Sequence, residues 1–114
     1  MKLEVGQFVR TKDGYISQYK YYDTTNAYME KLLCIPLSNG TFANIEDIVK
    51  ASYNIIDILE VGDYVNGKKI YSLGLTIGIL NTINFEDGTF TIAEDIKSVI
   101  THEQMEQMEY KVGE

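Results

Sequence analysis

Along most of the chain, apolar residues come in short runs that alternate with polar ones, and Gly-containing pairs interrupt them at intervals suited to strands. Asp13-Gly14, Asn39-Gly40, Asn66-Gly67 and Asp87-Gly88 each stand between β-branched or aromatic residues. Both central positions of a type I′ hairpin turn need positive φ, which Gly adopts freely and Asn or Asp tolerate, so these pairs predict four hairpins. Ile70, Ser72, Ile77, Ile79, Ile83 and Phe85 fall at spacings that a half-buried strand allows, and Phe90 and Ile92 alternate with Thr89 and Thr91. These apolar positions, with Phe8, Ile16, Leu33, Ile35, Leu37, Phe42 and Ile45, are the expected core. Pro36 lacks an amide donor and should mark a strand edge or irregularity. Only near the C-terminus does the pattern turn helical. Thr101 and Gln104 fit a capping box, predicting a short helix over 102–109 with Met105 and Met108 on one face. Tyr110-Lys111-Val112 then alternates like a closing strand.

The pattern repeats. Leu3-Glu4-Val5-Gly6-Gln7-Phe8-Val9 returns as Leu59-Glu60-Val61-Gly62-Asp63-Tyr64-Val65, an offset of 56 residues. Gly40-Thr41-Phe42 with Glu46-Asp47-Ile48 returns as Gly88-Thr89-Phe90 with Glu94-Asp95-Ile96, an offset of 48, so the second copy is eight residues shorter between the blocks. The shortening is expected in loops: in the first hairpin, and around the polar stretch Asp23-Thr24-Thr25-Asn26. Each copy reads as a meander of short strands behind a Val-Gly-x-aromatic-Val opening, a pattern that resembles an SH3-like small barrel. The expected fold class is all-β, or β-rich α+β, with two duplicated SH3-like modules at 1–57 and 58–114 packed together and a short C-terminal helix. The apolar link from Ile48 to Ile58 has no Pro or Gly and reads as packed chain rather than a tether.

Composition narrows the chemistry. At 114 residues, with 45% hydrophobic and 24% charged residues, the chain suits one domain or two small ones and is too apolar for disorder. Its 17 acidic and 10 basic residues give a net charge of −7, which opposes direct contact with nucleic acid or anionic membranes and favours basic partners. Residues 58–114 hold ten acids and four bases, so most of that charge belongs to the second copy. One Cys and one His exclude a disulfide within the chain and a zinc pattern. With no signal-like N-terminus and no apolar stretch of membrane-spanning length, a cytoplasmic protein is expected.

No pattern in the sequence supports catalysis, and no cofactor is expected. His102 has no Ser or Cys partner in sequence and reads as a surface histidine, and Cys34 sits in the apolar run Leu32-Leu33-Cys34-Ile35 as an inert buried thiol. Glu46-Asp47 and Glu94-Asp95 are repeat-equivalent pairs, which points to a structural role at a turn or strand end. What remains is recognition. The acidic stretch Glu94, Asp95, Glu103, Glu106 and Glu109 would form a face for a basic partner, with Tyr19 and Tyr21 of the cluster Tyr15, Tyr19, Tyr21, Tyr22, Tyr28 as exposed aromatic contacts. An alternative is a nucleotide held between modules, its phosphate met by Arg10, Lys12, Lys68 or Lys69. A third reading is a self-assembling structural protein, such as a homodimer formed through apolar module edges.

The stretches Val5 to Gly14, Asn54 to Gly67 and Thr101 to Gly113 resemble small proteins common in prophages and mobile elements of Firmicutes. The resemblance implies an accessory protein acting in a bacterial cytoplasm. Small acidic phage proteins of this size and charge inhibit host defence factors, CRISPR nucleases among them, by occupying basic grooves meant for nucleic acid. The leading expectation is therefore a non-enzymatic, anti-CRISPR-like inhibitor that binds a bacterial host protein through an acidic face.

Overall fold

A computed structural model describes residues 3–20, 34–38, 40–76, 80–109 and 112. The chain divides into two compact units, Met1–Ile58 and Leu59–Glu114. Among the described residues it is mostly β, with ten strands in three sheets and one short α-helix.

The first unit runs β1 (Phe8–Thr11), β2 (Ile16–Gln18), β3 (Cys34–Pro36), β4 (Phe42–Asn44), a 3-10 turn at Ile45–Asp47, β5 (Ile48–Ser52) and a second 3-10 turn at Ile55–Ile58. β1 pairs antiparallel with β2 and β5, and β3 with β4. A bridge between Tyr19 and Leu37, with Lys20 N–H donating to Pro36 O at 3.0 Å, joins the ends of β2 and β3. The second unit runs β6 (Tyr64–Val65), β7 (Lys68–Thr76), β8 (Leu80–Phe85), β9 (Phe90–Ile92), a 3-10 turn at Ala93–Asp95, β10 (Val99–Ile100) and α1 (His102–Met108). Its five strands form one antiparallel sheet in the order β10-β6-β7-β8-β9. Both units thus place a 3-10 turn containing the Glu-Asp pair just ahead of a strand that pairs back onto the first one. Val99–Ile100 pairs with the first strand of this unit, and the closing strand expected at Tyr110-Lys111-Val112 falls on Tyr110 and Lys111, which lie outside the described residues.

The turns correct one expectation. Among the described residues only Asn66-Gly67 has positive φ at both positions (52° and 79°), with Asn39 outside them, and Val65 pairs with Lys68 around a two-residue loop. At Gly14, Gly40 and Gly88, the Gly N–H donates to the carbonyl three residues back, and that same residue's N–H donates to the carbonyl four residues on. Gly is the third residue of a three-residue loop in each, where a single left-handed position suffices, and Asp13 and Asp87 keep negative φ. The second copy's first hairpin loses two residues from the strand and only one from the loop, since β1 has four residues and β6 two. The other expected deletion, near Asp23 to Asn26, lies outside the described residues.

Val9, Tyr19, Ile35, Leu37, Ala43 and Ile48 form the core of the first unit; Val65, Ile70, Ile83 and Phe85 are buried in the second. Phe42 and Phe90, expected inside, are 53% and 67% exposed. In β4 it is Ala43, one residue on, that turns inward, so the strand takes the opposite phase from the one inferred for its largest side chain. In β1, Val9, Arg10 and Thr11 are all buried, breaking the two-residue alternation. The 3-10 turn Ile55–Ile58 covers the second face of β1, and the Arg10 guanidinium donates to Ile58 O at 3.0 Å. Ile77, Ile79 and Leu33 lie outside the described residues.

Candidate functional site

The site grows from the turn that opens the second unit. Asp63 N–H donates to Glu60 O at 3.1 Å, and Gly62 supplies the positive φ (97°) that the turn requires. Asp63 is fully buried. One of its carboxylate oxygens accepts from Glu60 N–H at 2.8 Å and the other from His102 N–H at 2.9 Å, tying the turn to the start of α1. Thr101 caps that helix: its hydroxyl accepts from Gln104 N–H at 3.3 Å, and its own N–H donates to Gln104 Oε1 at 3.1 Å. His102 is thereby held over the turn. Its Nε2 lies 2.7 Å from Oε1 of both Glu60 and Glu103, so one N–H is directed at two carboxylates. The hydrogen bond to Glu60 raises the imidazole pKa above its ordinary value; partial burial opposes the shift, and the neighbouring carboxylates reinforce it.

The first unit builds the same turn without the histidine. Gln7 N–H donates to Glu4 O at 3.2 Å, Gly6 has φ 97°, and the Gln7 side chain accepts from Glu4 N–H at 2.8 Å, as Asp63 does from Glu60. Tyr53, directly after β5, packs by Gly6 as His102, two residues after β10, packs by Gly62, and it donates to Glu4 at 2.5 Å. The Glu4–Tyr53 and Glu60–His102 contacts are therefore counterparts. The sequence carried one signal for this: Gln7 and Asp63 occupy the same repeat position, and both can accept a backbone hydrogen bond.

Beside this turn a groove of about 670 Å³ is lined by Gly62, Tyr64, Lys69, His102, Met105, Glu106, Met108 and Glu109. Tyr64 and Lys69 face each other across the β6–β7 ladder. From α1, the i,i+3 pairs Met105/Met108 and Glu106/Glu109 contribute an apolar and an acidic strip. Glu60, His102 and Glu103 also bring one nitrogen and two oxygens within 4.8 Å of one another, a donor set that could hold a divalent ion, which the one-Cys, one-His count did not suggest.

The expected site residues separate. Glu106 and Glu109 are exposed on the groove, and Glu94 and Asp95 are exposed on the 3-10 turn Ala93–Asp95. No ion pair to another described residue holds these four carboxylates. Glu103 is withdrawn from the acidic face: it is half-buried and engaged by His102. Tyr19, expected on the surface, is 4% exposed and belongs to the core, because its bridge to Leu37 turns it inward. Tyr21 lies outside the described residues, as do Tyr22 and Tyr28. Arg10, expected to meet phosphate, is fully buried, while Lys12, Lys68 and Lys69 pair with Asp47 (3.0 Å), Asp87 (3.2 Å) and Glu86 (3.8 Å). Cys34, expected buried, is only partly so, with its thiol donating to Asn44 Oδ1 at 3.1 Å.

The class these features define is a β-rich protein with a groove on its second unit lined by Glu106 and Glu109 as well as Lys69 and His102, and no described helix is long and apolar enough to cross a membrane. Comparison with family models, with curated proteins and with solved structures returned no match.

Proposed function

We propose that the protein is a non-catalytic binding protein whose second unit offers acidic side chains to a basic, nucleic-acid-binding groove of a bacterial protein. The observation that carries this reading is a charge imbalance at the surface. Lys68 and Lys69 pair with Asp87 and Glu86, while Glu94, Asp95, Glu106 and Glu109 stay exposed without a described ion pair and outnumber Lys97, the other exposed lysine described in this unit. Carboxylates so placed answer the same Lys/Arg-lined channels that attract a phosphate backbone. A host defence factor such as a CRISPR nuclease is the target class, in keeping with the resemblance to prophage proteins. The scaffold is read as two copies of one SH3-like module. In both units the first strand lies between the second strand and the strand after the Glu-Asp turn, and this order and the matching Gly6 and Gly62 turns support that reading.

The nucleotide alternative loses support, since Arg10 is inside the core and its three companions are paired. The test is competition. Tagged protein captures basic nucleic-acid-binding proteins from a bacterial lysate, and each is purified and challenged for nucleic-acid binding. The expected result is displacement of nucleic acid by the wild-type chain, weakened by salt and by neutralising Glu94, Asp95, Glu106 and Glu109 together. Displacement indifferent to both changes would rule out the acidic surface.

A further inference from the structure

We infer that the groove between the β6–β7 ladder and α1 receives an arginine side chain of the partner. The inference rests on the acidic docking proposed above and goes further, naming the residue type recognised. The groove is not simply acidic. Tyr64 gives an aromatic surface on the ladder, Met105 and Met108 give a polarisable thioether strip, and Glu106 and Glu109 supply carboxylates beside it. A lysine ammonium is a compact, strongly hydrated charge that gains little from the apolar part of such a lining. A guanidinium is planar and weakly hydrated; it stacks on an aromatic ring and gives two parallel N–H bonds to one carboxylate. Its aliphatic stem covers apolar surface, and methionines adapt their shape to it. Met108, 65% exposed at the end of α1, is apolar surface without a covering group among the described residues. Lys69 and His102 also line the groove, but the Lys69 ammonium lies 3.8 Å from Glu86, on the turn between β8 and β9, and His102 Nε2 lies 2.7 Å from Glu60 and Glu103, so each has a carboxylate partner other than Glu106 and Glu109.

The experiment compares fluorescent oligo-arginine and oligo-lysine peptides of equal length, titrated with the full chain at low salt and read by anisotropy. Arginine should bind about tenfold more tightly, the size expected when stacking and paired hydrogen bonds add to the same charge. Met108→Ser and Glu106→Gln, both exposed, should shrink the difference, and Tyr64→Leu should remove most of it. Replacing Glu94 and Asp95 by their amides should weaken both peptides alike. Equal affinity for the two peptides, or a preference that survives Met108→Ser, Glu106→Gln and Tyr64→Leu, would overturn the arginine site. Equal, salt-sensitive binding lost on neutralising all four carboxylates would do so while leaving acidic docking standing, whereas no binding of either peptide would remove both.

Discussion

Glu4 with Tyr53, and Glu60 with His102, hold corresponding places in the two units but respond to different ranges of pH. The phenol is raised above its ordinary value by its bond to Glu4 and keeps its proton throughout the neutral range. The imidazole does not. Because folding raises the His102 pKa, the folded chain holds this proton more tightly than the unfolded one. The resulting stability is fully present below the ordinary imidazole value and is lost as pH rises through the raised value. Melting temperature should therefore fall as pH rises from the ordinary imidazole value through the raised one, with His102→Gln flattening the profile; parallel profiles would refute the contribution. Asp63 offers a second test at this scale. Asp63→Ala leaves the amides of Glu60 and His102 without their acceptor, so denaturant unfolding should show a loss of about 2–4 kcal/mol. The role of His102 was not legible from residue type, since a lone His has no sequence pattern that marks it and Glu60 lies 42 residues away; Asp63 carried only the repeat position it shares with Gln7, and its bond to His102 spans 39 residues.

Among the elements, hairpins and the helix were the most legible, since turn glycines and a capping box act within a few residues of chain. Asn66 shows how much one turn can carry. Besides adopting φ 52°, its side chain accepts from Lys97 N–H at 2.7 Å and Ser98 N–H at 3.2 Å, and donates to Asp95 O at 2.9 Å. Asn66→Gly would keep the conformation but lose these bonds, whereas Asn66→Ala would lose both. Stability measurements should rank them wild type, then Gly, then Ala, with the alanine variant down by about 2–3 kcal/mol. A glycine variant as stable as wild type would show that the side-chain bonds contribute nothing. Strands β5 and β10 were harder to read. Val99–Ile100 is too short to show a period, and it counts as a strand only because it meets Val65 and Tyr64. The burial of Arg10 was similarly hidden, for the 3-10 turn that covers it lies more than forty residues further on.

At the scale of the molecule, a net charge of −7 with most of it in the second half should act chiefly on encounter. For a cationic peptide, the association rate should fall steeply as salt rises while dissociation changes little, a contrast that stopped-flow mixing would measure; a salt effect confined to dissociation would contradict it. Charge balance, the repeat, the Gly turns, the helix cap and a β-rich class were all determined by the sequence itself, because each depends on composition or on neighbours along the chain. Which carboxylates stay free was decided in three dimensions. Glu103 and Glu106 are alike in sequence, yet one bends to His102 and the other lines a groove. Tyr19 and Phe42 exchange their expected places because a strand's inward face is chosen by what packs against it. Partner, phase and exposure are properties of contacts between distant residues, so only the tertiary structure could assign them.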